Sequence, residues 1–317
     1  MIGTDINHAI ELLTHGSLVA IPTETVYGLA ANALNVEAVA KIFAAKNRPN
    51  FNPLIVHTHS IAAMRAFCTE FSPTAHKLAT AFMPGALTLV LPKSDLIPNL
   101  VTSHSTSVAL RIPAHPVALS LLKKLPFPLA APSANPFGYI SPTTAKHVWA
   151  QLGDKIPYIL DGGNCTVGIE STILKIINNE AFILRLGGTS QEAIEQILGK
   201  KITTLHTQNQ SAPEASGMLH SHYAPKKKLI LTNLKQAVPD YKNQKIGVLS
   251  LNSFFDGVPH AHQIQLAPNG DLNTAATNLF AALRHLDEMD ITLILAEEMP
   301  NIGLGNAIND RLKRAAF

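Results

Sequence analysis

The stretch KIFAAKNRPNFNPLIVH at positions 41–57 joins a predicted helix to a predicted buried strand. Its first part continues the spacing of Val39 and Phe43, which places these apolar side chains on one face of a helix. Pro49 ends that helix because it lacks an N–H and moves the preceding residue away from helical angles. The apolar run 54–56 then predicts a buried strand.

The loop between this helix and this strand carries two cations and two amides. These are Lys46, Arg48, Asn50 and Asn52, and His57 follows the strand directly. Such side chains on a loop stiffened by proline favour an anion site beside the strand. A solvated helix end, with lysine and arginine offsetting the helix dipole, explains the same residues. The loop taken alone leaves both interpretations open.

Composition predicts a large packed core without a strong charge bias. The 317 residues are 46% hydrophobic and 15% charged, and the formal net charge is +3. This excess is too small to indicate nucleic-acid binding by charge alone, so an anion site must be local. Two cysteines, no basic secretory leader and no run of roughly 18 apolar residues predict a cytoplasmic protein that does not span a membrane.

Alternating helices and strands predict α/β layers in two parts. The predicted domains are 1–202 and 228–317, joined by a polar linker at 203–227 with little apolar periodicity. Predicted helices cover 5–15, 36–46, 115–124, 190–198, 272–286 and 305–315, and two more begin at Ser72-Pro73 and Ser141-Pro142. Predicted strands cover 17–21, 54–58, 86–91, 107–111, 128–131, 158–160, 171–176, 182–186, 228–232, 245–251 and 291–296.

Several common types of functional site do not match the sequence. It has no G-x-x-x-x-G-K-[ST] loop, and the pair Gly303 and Gly305 lacks the third glycine of a dinucleotide fingerprint. The S-x-x-K at 120–123 falls on the apolar face of a predicted helix and has no K-T-G partner. The histidine pairs 57/59 and 220/222 lack a third ligand nearby, and Cys165 lacks an adjacent base, so metal and thiol chemistry are disfavoured.

A set of motifs occurs in a fixed order along the chain. They are P-T-E-T-x-Y-G-L at 22–29, K-x-R-P at 46–49, N-P-L-I-V-H at 52–57, P-G-x-L-T at 84–88, A-L-R-I-P-x-H-P at 109–116, S-x-N at 133–135, G-I-E-S-T at 168–172, H-Y-A-P at 222–225 and G-L-G-N-A-I-N-D-R-L at 303–312. This ordered set resembles the YrdC-type fold, and in particular the threonylcarbamoyl-AMP synthases, its two-domain members. The resemblance implies a YrdC-type twisted mixed sheet flanked by helices, followed by a smaller Rossmann-like α/β domain.

The resemblance also implies a reaction and residues for it. Family members convert L-threonine, bicarbonate and ATP, with Mg²⁺, into threonylcarbamoyl-adenylate and pyrophosphate. Downstream tRNA-threonylcarbamoyl transferase proteins use the product, and weak binding of tRNA is an additional expectation. The family pattern makes Lys46 and Arg48 catalytic, assigns Thr25, His57, Arg111, Ala131 and Ser171 to threonine, and assigns Arg48, Asn52, Ser107, Ser133, Asn135, Ser141, Arg185 and Tyr223 to ATP.

Structural explanations compete with several of these assignments. Thr25 and Ser171 could satisfy backbone groups at strand ends, and Ser141 could cap its helix. Arg111 and Arg185, at the ends of apolar strands, each need an anion, which a structural carboxylate supplies as well as a ligand does. The linker departs from the family pattern around Leu219 and Ser221, while Tyr223 is expected to close the site as a lid.

Two other functions fit the same fold class. A non-catalytic RNA-binding module is disfavoured by the weak net charge and by the lack of interleaved aromatic residues. Transfer of a different carbamoyl group, as in hydrogenase-maturation relatives, is disfavoured because those chains carry further domains that are missing here.

Overall fold

A ten-stranded mixed sheet organises the first part of the chain in the computed structural model, which describes residues 1–205, 222–241 and 243–316. The spatial order of its strands is β1-β8-β2-β3-β7-β4-β6-β5-β9-β10. The strands are β1 (Ile2–Gly3), β2 (Val19–Ile21), β3 (Gly28–Asn32), β4 (Ile55–His57), β5 (Leu87–Pro92), β6 (Ser107–Arg111), β7 (Leu129–Ala130), β8 (Tyr158–Leu160), β9 (Thr172–Ile177) and β10 (Glu180–Arg185).

Eight helices of the described residues flank this sheet. They are α1 (Ile6–Thr14), α2 (Val36–Lys46), α3 (Ile61–Arg65), α4 (Pro73–Phe82), α5 (Asn99–Thr102), α6 (Pro116–Lys124), α7 (Ala145–Leu152) and α8 (Gln191–Leu198). Helix α2 buries Val39, Ile42 and Phe43 against the sheet, and β4 is buried along its whole length. The prediction made from residues 41–57 is therefore confirmed.

The register of the central strands places predicted site residues together. Strand β4 pairs with β6 in parallel, and His57 lies opposite Arg111 at the carboxyl ends of both strands. Strand β5 pairs with β9 in parallel, so that Thr88 lies opposite Ile173, two residues beyond Ser171. Strand β5 runs antiparallel to β6, so β5 and β9 begin at the edge where β4 and β6 end. Ser171, directly before β9, therefore lies at the same edge as His57 and Arg111.

The helix predicted from Ser141 begins later, and that prediction is wrong. Helix α7 starts at Ala145, and its cap is Thr144, whose hydroxyl oxygen accepts from the His147 N–H at 3.1 Å. The backbone at Pro142 is instead engaged with the sheet, because its carbonyl accepts from the Tyr27 N–H at 2.8 Å. The Ser141 hydroxyl is completely buried and bonds elsewhere, so it does not cap the helix.

A second, four-stranded parallel sheet forms the remaining part, in the order β11-β14-β12-β13. Its strands are β11 (Lys228–Leu231), β12 (Ile246–Ser250), β13 (Gln263–Gln265) and β14 (Leu293–Ala296), and its helices are α9 (Leu234–Ala237), α10 (Leu272–Glu288) and α11 (Gly305–Ala315). The predicted apolar face of α10 is confirmed by the burial of Leu279, Phe280 and Leu283. A parallel sheet covered by helices confirms the smaller Rossmann-like domain.

The predicted linker lies partly outside the described residues. Its first residues still belong to the large sheet, because Thr203 and Leu205 exchange backbone hydrogen bonds with Ile183 at 2.9 and 2.8 Å. Residues 206–221, which include Leu219 and Ser221, are outside the described part. The described chain resumes at His222. Within the described residues, no helix combines the length and apolarity needed to cross a membrane.

Candidate functional site

A pocket opens where the parallel strands of the large sheet end. Nine of the predicted residues line it: Thr25, Arg48, His57, Arg111, Ala131, Ser133, Ser171, Arg185 and Tyr223. The free cavity between them is only ≈ 40 Å³. Because one water occupies about 30 Å³, a ligand as large as a nucleotide requires some of the lining to move.

Both cations at the end of α2 are buried, so the solvated helix end is excluded for Lys46 and Arg48. Lys46 is 1% exposed and Arg48 is 6% exposed. Asn47 ends the helix in the left-handed conformation, with φ of 52°, and the chain then turns towards β4. This conformation is one that asparagine tolerates better than most residues. The turn directs the Arg48 side chain into the pocket.

Lys46 supports the wall of the pocket and is not among the residues that line it. Its Nζ atom donates to the Ser133 carbonyl at 2.6 Å and also to the Asn135 carbonyl. Burial, followed by the neighbouring charge of Arg48, lowers the pKa of Lys46 well below its usual value. The lysine therefore fastens helix α2 to the S-x-N turn.

The Asn135 side chain braces the same turn from within. Its amide donates to the carbonyls of Pro136 at 2.9 Å and of Tyr139 at 2.7 Å. Ser133 stays at the lining of the pocket, while Asn135 is buried behind it. Lys46 and Asn135 thus hold Ser133 at the pocket without lining it themselves.

Arg48 and Asn52 are joined by hydrogen bonds within the loop between α2 and β4. The Arg48 Nη2 atom donates to Asn52 Oδ1 at 2.7 Å and to the Pro53 carbonyl at 2.9 Å. The guanidinium also lies over the Phe137 ring, 5.8 Å from its centroid. Burial lowers the pKa of Arg48 to about 9, so it remains charged near neutral pH. Asn52 lies behind Arg48 and orients it.

Arg111, which also lines the pocket, forms a buried ion pair with Glu24. The Arg111 Nη2 atom donates to Glu24 Oε1 at 2.6 Å, and its Nε atom donates to the Gly85 carbonyl at 3.2 Å. Glu24 also accepts from the Ala114 N–H at 3.0 Å. A structural carboxylate does therefore accompany Arg111, which nevertheless also lines the pocket.

His57 is held neutral beside this ion pair. Its Nδ1 atom lies 3.1 Å from the Ile55 carbonyl, which favours the tautomer with the proton on Nδ1. Burial, and then the charge of Arg111, lowers the pKa of His57 to about 3. Its other nitrogen can therefore accept a hydrogen bond from a ligand.

The hydroxyls of Thr25 and Ser171 are paired with other hydroxyls. Thr25 Oγ1 lies 2.8 Å from Thr23 Oγ1, and Ser171 Oγ lies 2.7 Å from Thr88 Oγ1. Arg185 donates from Nη2 to the Ser171 carbonyl at 2.7 Å, and burial lowers its pKa. Both hydroxyls are thus fixed in position while they remain in the lining.

Ser141 reaches the second domain through a carboxylate that the sequence prediction did not assign. The Ser141 hydroxyl donates to Glu170 Oε1 at 2.5 Å, and Arg311 Nε donates to Glu170 Oε2 at 3.1 Å. Burial alone would raise the pKa of Glu170, but Arg311 and Arg185 outweigh it and the pKa is lowered. Glu24, Glu170 and Arg311 all lie inside quoted motifs, which is the signal that could have identified them.

The segment at 222–223 fills the pocket from the linker side. Tyr223 is 1% exposed, and its ring stacks on Phe280 of α10 with a centroid distance of 5.5 Å. His222 packs edge-on against it at 4.2 Å. Burial, and then the charges of Arg48, Lys46, Arg185 and Arg311, lowers the pKa of His222 well below its usual value.

Ser107 is not brought to this pocket. It begins β6, whereas Arg111 ends that strand, about 13 Å further along the same face at the usual strand rise. Ser107 lines a separate cavity with Ser72, Leu91 and Lys175. Its assignment to ATP stays a prediction.

Unpartnered polar atoms surround the pocket in the described part of the chain. Buried atoms there without a hydrogen-bond partner include Asn52 Nδ2, Asn135 Oδ1, His222 Nδ1, Tyr223 Oη and Arg311 Nη2. Since buried polar atoms are normally paired, this concentration points to a polar ligand. Cys165, by contrast, is a buried thiol whose pKa burial raises to about 12, which confirms the interpretation as a core residue.

Comparison with known proteins identifies the family. A model of the Sua5, YciO and YrdC proteins, described as "Telomere recombination", matches residues 11–187. A second model, described as "Threonylcarbamoyl-AMP synthase, C-terminal domain", matches residues 189–317. The chain belongs to the threonylcarbamoyl-AMP synthase family. Its two-domain composition, predicted from the motifs, is confirmed by these two matches.

Relatives in this family match nearly the whole chain. The threonylcarbamoyl-AMP synthase of Pyrococcus abyssi is 39% identical over 97% of this chain and 93% of its own length. That of Bacillus subtilis is 40% identical over 98% of this chain and 92% of its own length. The crystal structure of P. abyssi Sua5 complexed with L-threonine matches with a TM-score of 0.89 and 38% identity, covering 98% of this chain and 94% of that one. The YrdC-type fold is thereby confirmed.

Proposed function

We propose that this chain is an L-threonylcarbamoyladenylate synthase, a nucleotidyltransferase that converts L-threonine, bicarbonate and ATP into threonylcarbamoyl-AMP and pyrophosphate. One observation carries the proposal: a single pocket is lined by Arg48 and Arg185 and also by Arg111, which is paired with Glu24, and by neutral His57. Two cations suit a polyphosphate, and an arginine beside a neutral histidine suits an amino acid carboxylate with its polar neighbours.

The reaction needs no nucleophile from the protein. The threonine amine and bicarbonate first form a carbamate with loss of water. A carbamate oxygen then attacks the α-phosphorus, the bond to the bridging oxygen breaks, and pyrophosphate leaves. What the protein contributes is orientation of two anions and stabilisation of the charge that develops between them.

The threonine half of the site comprises Thr25, His57, Arg111, Ala131 and Ser171. Arg111 is oriented by Glu24, so its guanidinium is fixed before the carboxylate arrives. His57 offers an acceptor at its second nitrogen, and Ala131 lines the same pocket. Fixed donors and acceptors of this kind lose little free energy to reorganisation when the ligand binds.

The nucleotide half comprises Arg48, Ser133, Arg185 and Tyr223, which line the pocket, with Asn52, Asn135 and Ser141 behind them. Lys46 contributes to this half indirectly, because its Nζ atom donates to the Ser133 carbonyl and so holds the S-x-N turn in place. Since His222 and Tyr223 line the pocket at the end of the predicted linker, we propose that this segment covers the bound nucleotide as a lid.

Mg²⁺ is proposed as a companion of the triphosphate. Among the described residues, no group of three or more histidine, cysteine, aspartate or glutamate side chains could hold a metal ion. In the lining, Glu170 is already engaged by Arg311 and Ser141. This donor set fits an ion held chiefly by phosphate oxygens and water, as is usual for Mg²⁺ with nucleotides, where it neutralises phosphate charge.

Further features of the proposal follow from the family. The product is passed to downstream tRNA-threonylcarbamoyl transferase proteins in the cytoplasm, with weak binding of tRNA as an additional feature. We also propose the division into domains 1–202 and 228–317 with a linker at 203–227.

A pyrophosphate-release assay tests the proposed activity. The purified chain is incubated with ATP and Mg²⁺, and threonine or bicarbonate is omitted in turn. Release that requires both co-substrates supports the proposal. Release that continues without threonine, or salt-dependent tRNA binding with no ATP turnover at all, contradicts it.

A further inference from the structure

Arg311 is the largest fully buried side chain of the described residues, and it crosses from the second domain into the candidate site. It lies in α11, but its Nε atom donates to Glu170 of the first domain, 141 positions earlier in sequence. Its guanidinium carbon also lies 5.1 Å from the centroid of the Tyr223 ring. One side chain therefore contacts both a loop of the first domain and the last part of the predicted linker.

Arg311 also pairs through Nη1 with Asp310 of its own helix at 2.8 Å, and its other two contacts lead to residues assigned to the nucleotide. Through Glu170 it reaches the hydroxyl of Ser141, and through the aromatic ring it reaches Tyr223, which lines the pocket. Tyr223 has a positive φ of 64°, a backbone conformation that a bulky residue adopts only where its surroundings hold it. Arg311 on one side and Phe280 on the other supply those surroundings.

Stability alone does not account for this arrangement. A buried ion pair is often no more stabilising than apolar residues of the same volume, because both charges lose their hydration. Arg311 also retains a buried Nη2 atom with no hydrogen-bond partner in the described chain. A side chain that only docked two domains would be expected to have its donors satisfied.

Arg284 shows what docking alone looks like. It lies in α10 at the same interface and donates to the backbone carbonyls of Ile140 and, at 3.4 Å, Ser141, and to Gln151 Oε1 at 3.0 Å. It stacks on Tyr139 at 5.2 Å, which is outside the pocket lining. Arg284 therefore attaches a loop, whereas Arg311 contacts the lining itself.

We propose that Arg311 is a positioning residue of the nucleotide site, by which the second domain holds Glu170, Ser141 and Tyr223 in their ligand-binding arrangement. The inference rests on the proposed function only in assigning that half of the pocket to ATP. It gives the second domain a specific part in the site: without α11, the carboxylate of Glu170 and the ring of Tyr223 lose their shared cation.

Equilibrium binding of ATP and of threonine to the full chain tests this role. Arg311→Lys keeps the charge but loses the planar fork and the stacking surface. We expect the Kd for ATP to rise roughly tenfold or more, the size of one lost charge-assisted hydrogen bond, while the Kd for threonine stays unchanged. The double variant Arg311→Met with Glu170→Gln removes both charges of the buried ion pair, so that neither is left buried without its partner. We expect this variant to bind ATP weakly even if its thermal stability equals that of the unchanged chain.

Asn309→Ala is the matched control for a merely structural effect. Asn309 lies two residues away and is buried, but its hydrogen bonds go to the backbone of Met299 within the second domain. If this variant weakens ATP binding as much as Arg311→Lys does, or if Arg311→Lys binds ATP like the unchanged chain, the positioning role is wrong. Pyrophosphate release by the unchanged chain is measured separately, so a failed activity and a failed positioning role give different results.

Discussion

The Arg48 guanidinium and the Asn52 side chain are joined by a 2.7 Å hydrogen bond from Nη2 to Oδ1 across the turn that contains Pro49. The two residues end the helix and begin the approach to β4, so the turn that changes the direction of the chain also orients the cation. The loop sequence left an anion site and a solvated helix end as alternatives. A helix end is present, but its two cations, Lys46 and Arg48, are buried, and Arg48 lines a pocket.

Replacing Arg48 should weaken ATP binding far more than threonine binding. Arg48→Ala removes a buried cation from the pocket, and we expect the KM for ATP to rise roughly 10- to 100-fold, as for lost hydrogen bonds to a charged group. Steady-state pyrophosphate release at varied ATP measures this. Arg65→Ala is the control, because Arg65 also lies over an aromatic ring, Phe71 at 5.5 Å, but is exposed and far from the lining. Equal KM values for ATP in the two variants would contradict the assignment.

Replacing Lys46 should act on the S-x-N turn and through it on the nucleotide. Lys46→Met leaves the carbonyls of Ser133 and Asn135 without their buried donor, which should lower the free energy of unfolding by about 1–3 kcal/mol. Urea unfolding measures this loss, and ATP binding should weaken with it. Lys41→Met is the control, since Lys41 lies in the same helix and donates to the Gly16 carbonyl at 2.7 Å but is exposed. A Lys46 variant as stable as the Lys41 variant would show that the turn does not depend on this contact.

Replacing Gly168 should disturb the contact between the domains. A Cβ atom at Gly168 would lie 2.4 Å from the Thr277 Cα atom of α10, and Gly168 has φ of +79°. Gly168→Ala should therefore cost about 2–4 kcal/mol, from overpacking in addition to backbone strain. Gly199 has nearly the same φ, +74°, but a Cβ atom there would meet no other atom within 4 Å. Gly199→Ala should therefore cost only the backbone strain, about 1 kcal/mol. Thermal unfolding that gives the same loss for both alanines would exclude a tight contact at Gly168.

Acid should destabilise the fold through His57. The pKa of His57 is about 3 in the folded chain, against 6.5 for the ordinary side chain, so the unfolded chain binds more protons between these values. Its contribution is complete above pH 6.5, decreases below that pH at up to about 1.4 kcal/mol per pH unit, and is lost once the pH passes the folded value. Urea unfolding from pH 8 to pH 5 measures the slope, which should become shallower in His57→Gln. An unchanged slope in His57→Gln would show that His57 is not held neutral by folding.

Most helices and strands were predicted from the sequence because the spacing of apolar residues within each element is a local pattern. Helix α2, strand β4 and the face of α10 follow from apolar spacing alone. Strand β3, with sequence GLAAN, was not predicted, since glycine and alanine have little strand propensity and its position is decided by pairing with β2 and β7. Ser141 was misassigned as a cap for a similar reason: its partner, Glu170, is 29 positions away.

The sequence predicted many of the residues that line the site, but not what each of them contacts. Motifs name residues, and the pocket brings nine of them to its lining. They do not show that Lys46 turns away to backbone carbonyls, that Glu24 orients Arg111, or that Arg311 enters from the second domain. Such contacts depend on how distant elements pack, which no local spacing specifies.

Isotopic labelling of the product tests the central claim most directly. The chain is incubated with ATP, Mg²⁺, threonine and ¹³C-labelled bicarbonate, and the nucleotide products are analysed at once by mass spectrometry. We predict an adenylate that contains threonine and one labelled carbon, formed in step with pyrophosphate and lost in Arg48→Ala. Pyrophosphate accompanied by an adenylate without the labelled carbon, or by AMP alone from the first time point, would contradict the assignment of this pocket to threonine, bicarbonate and ATP together.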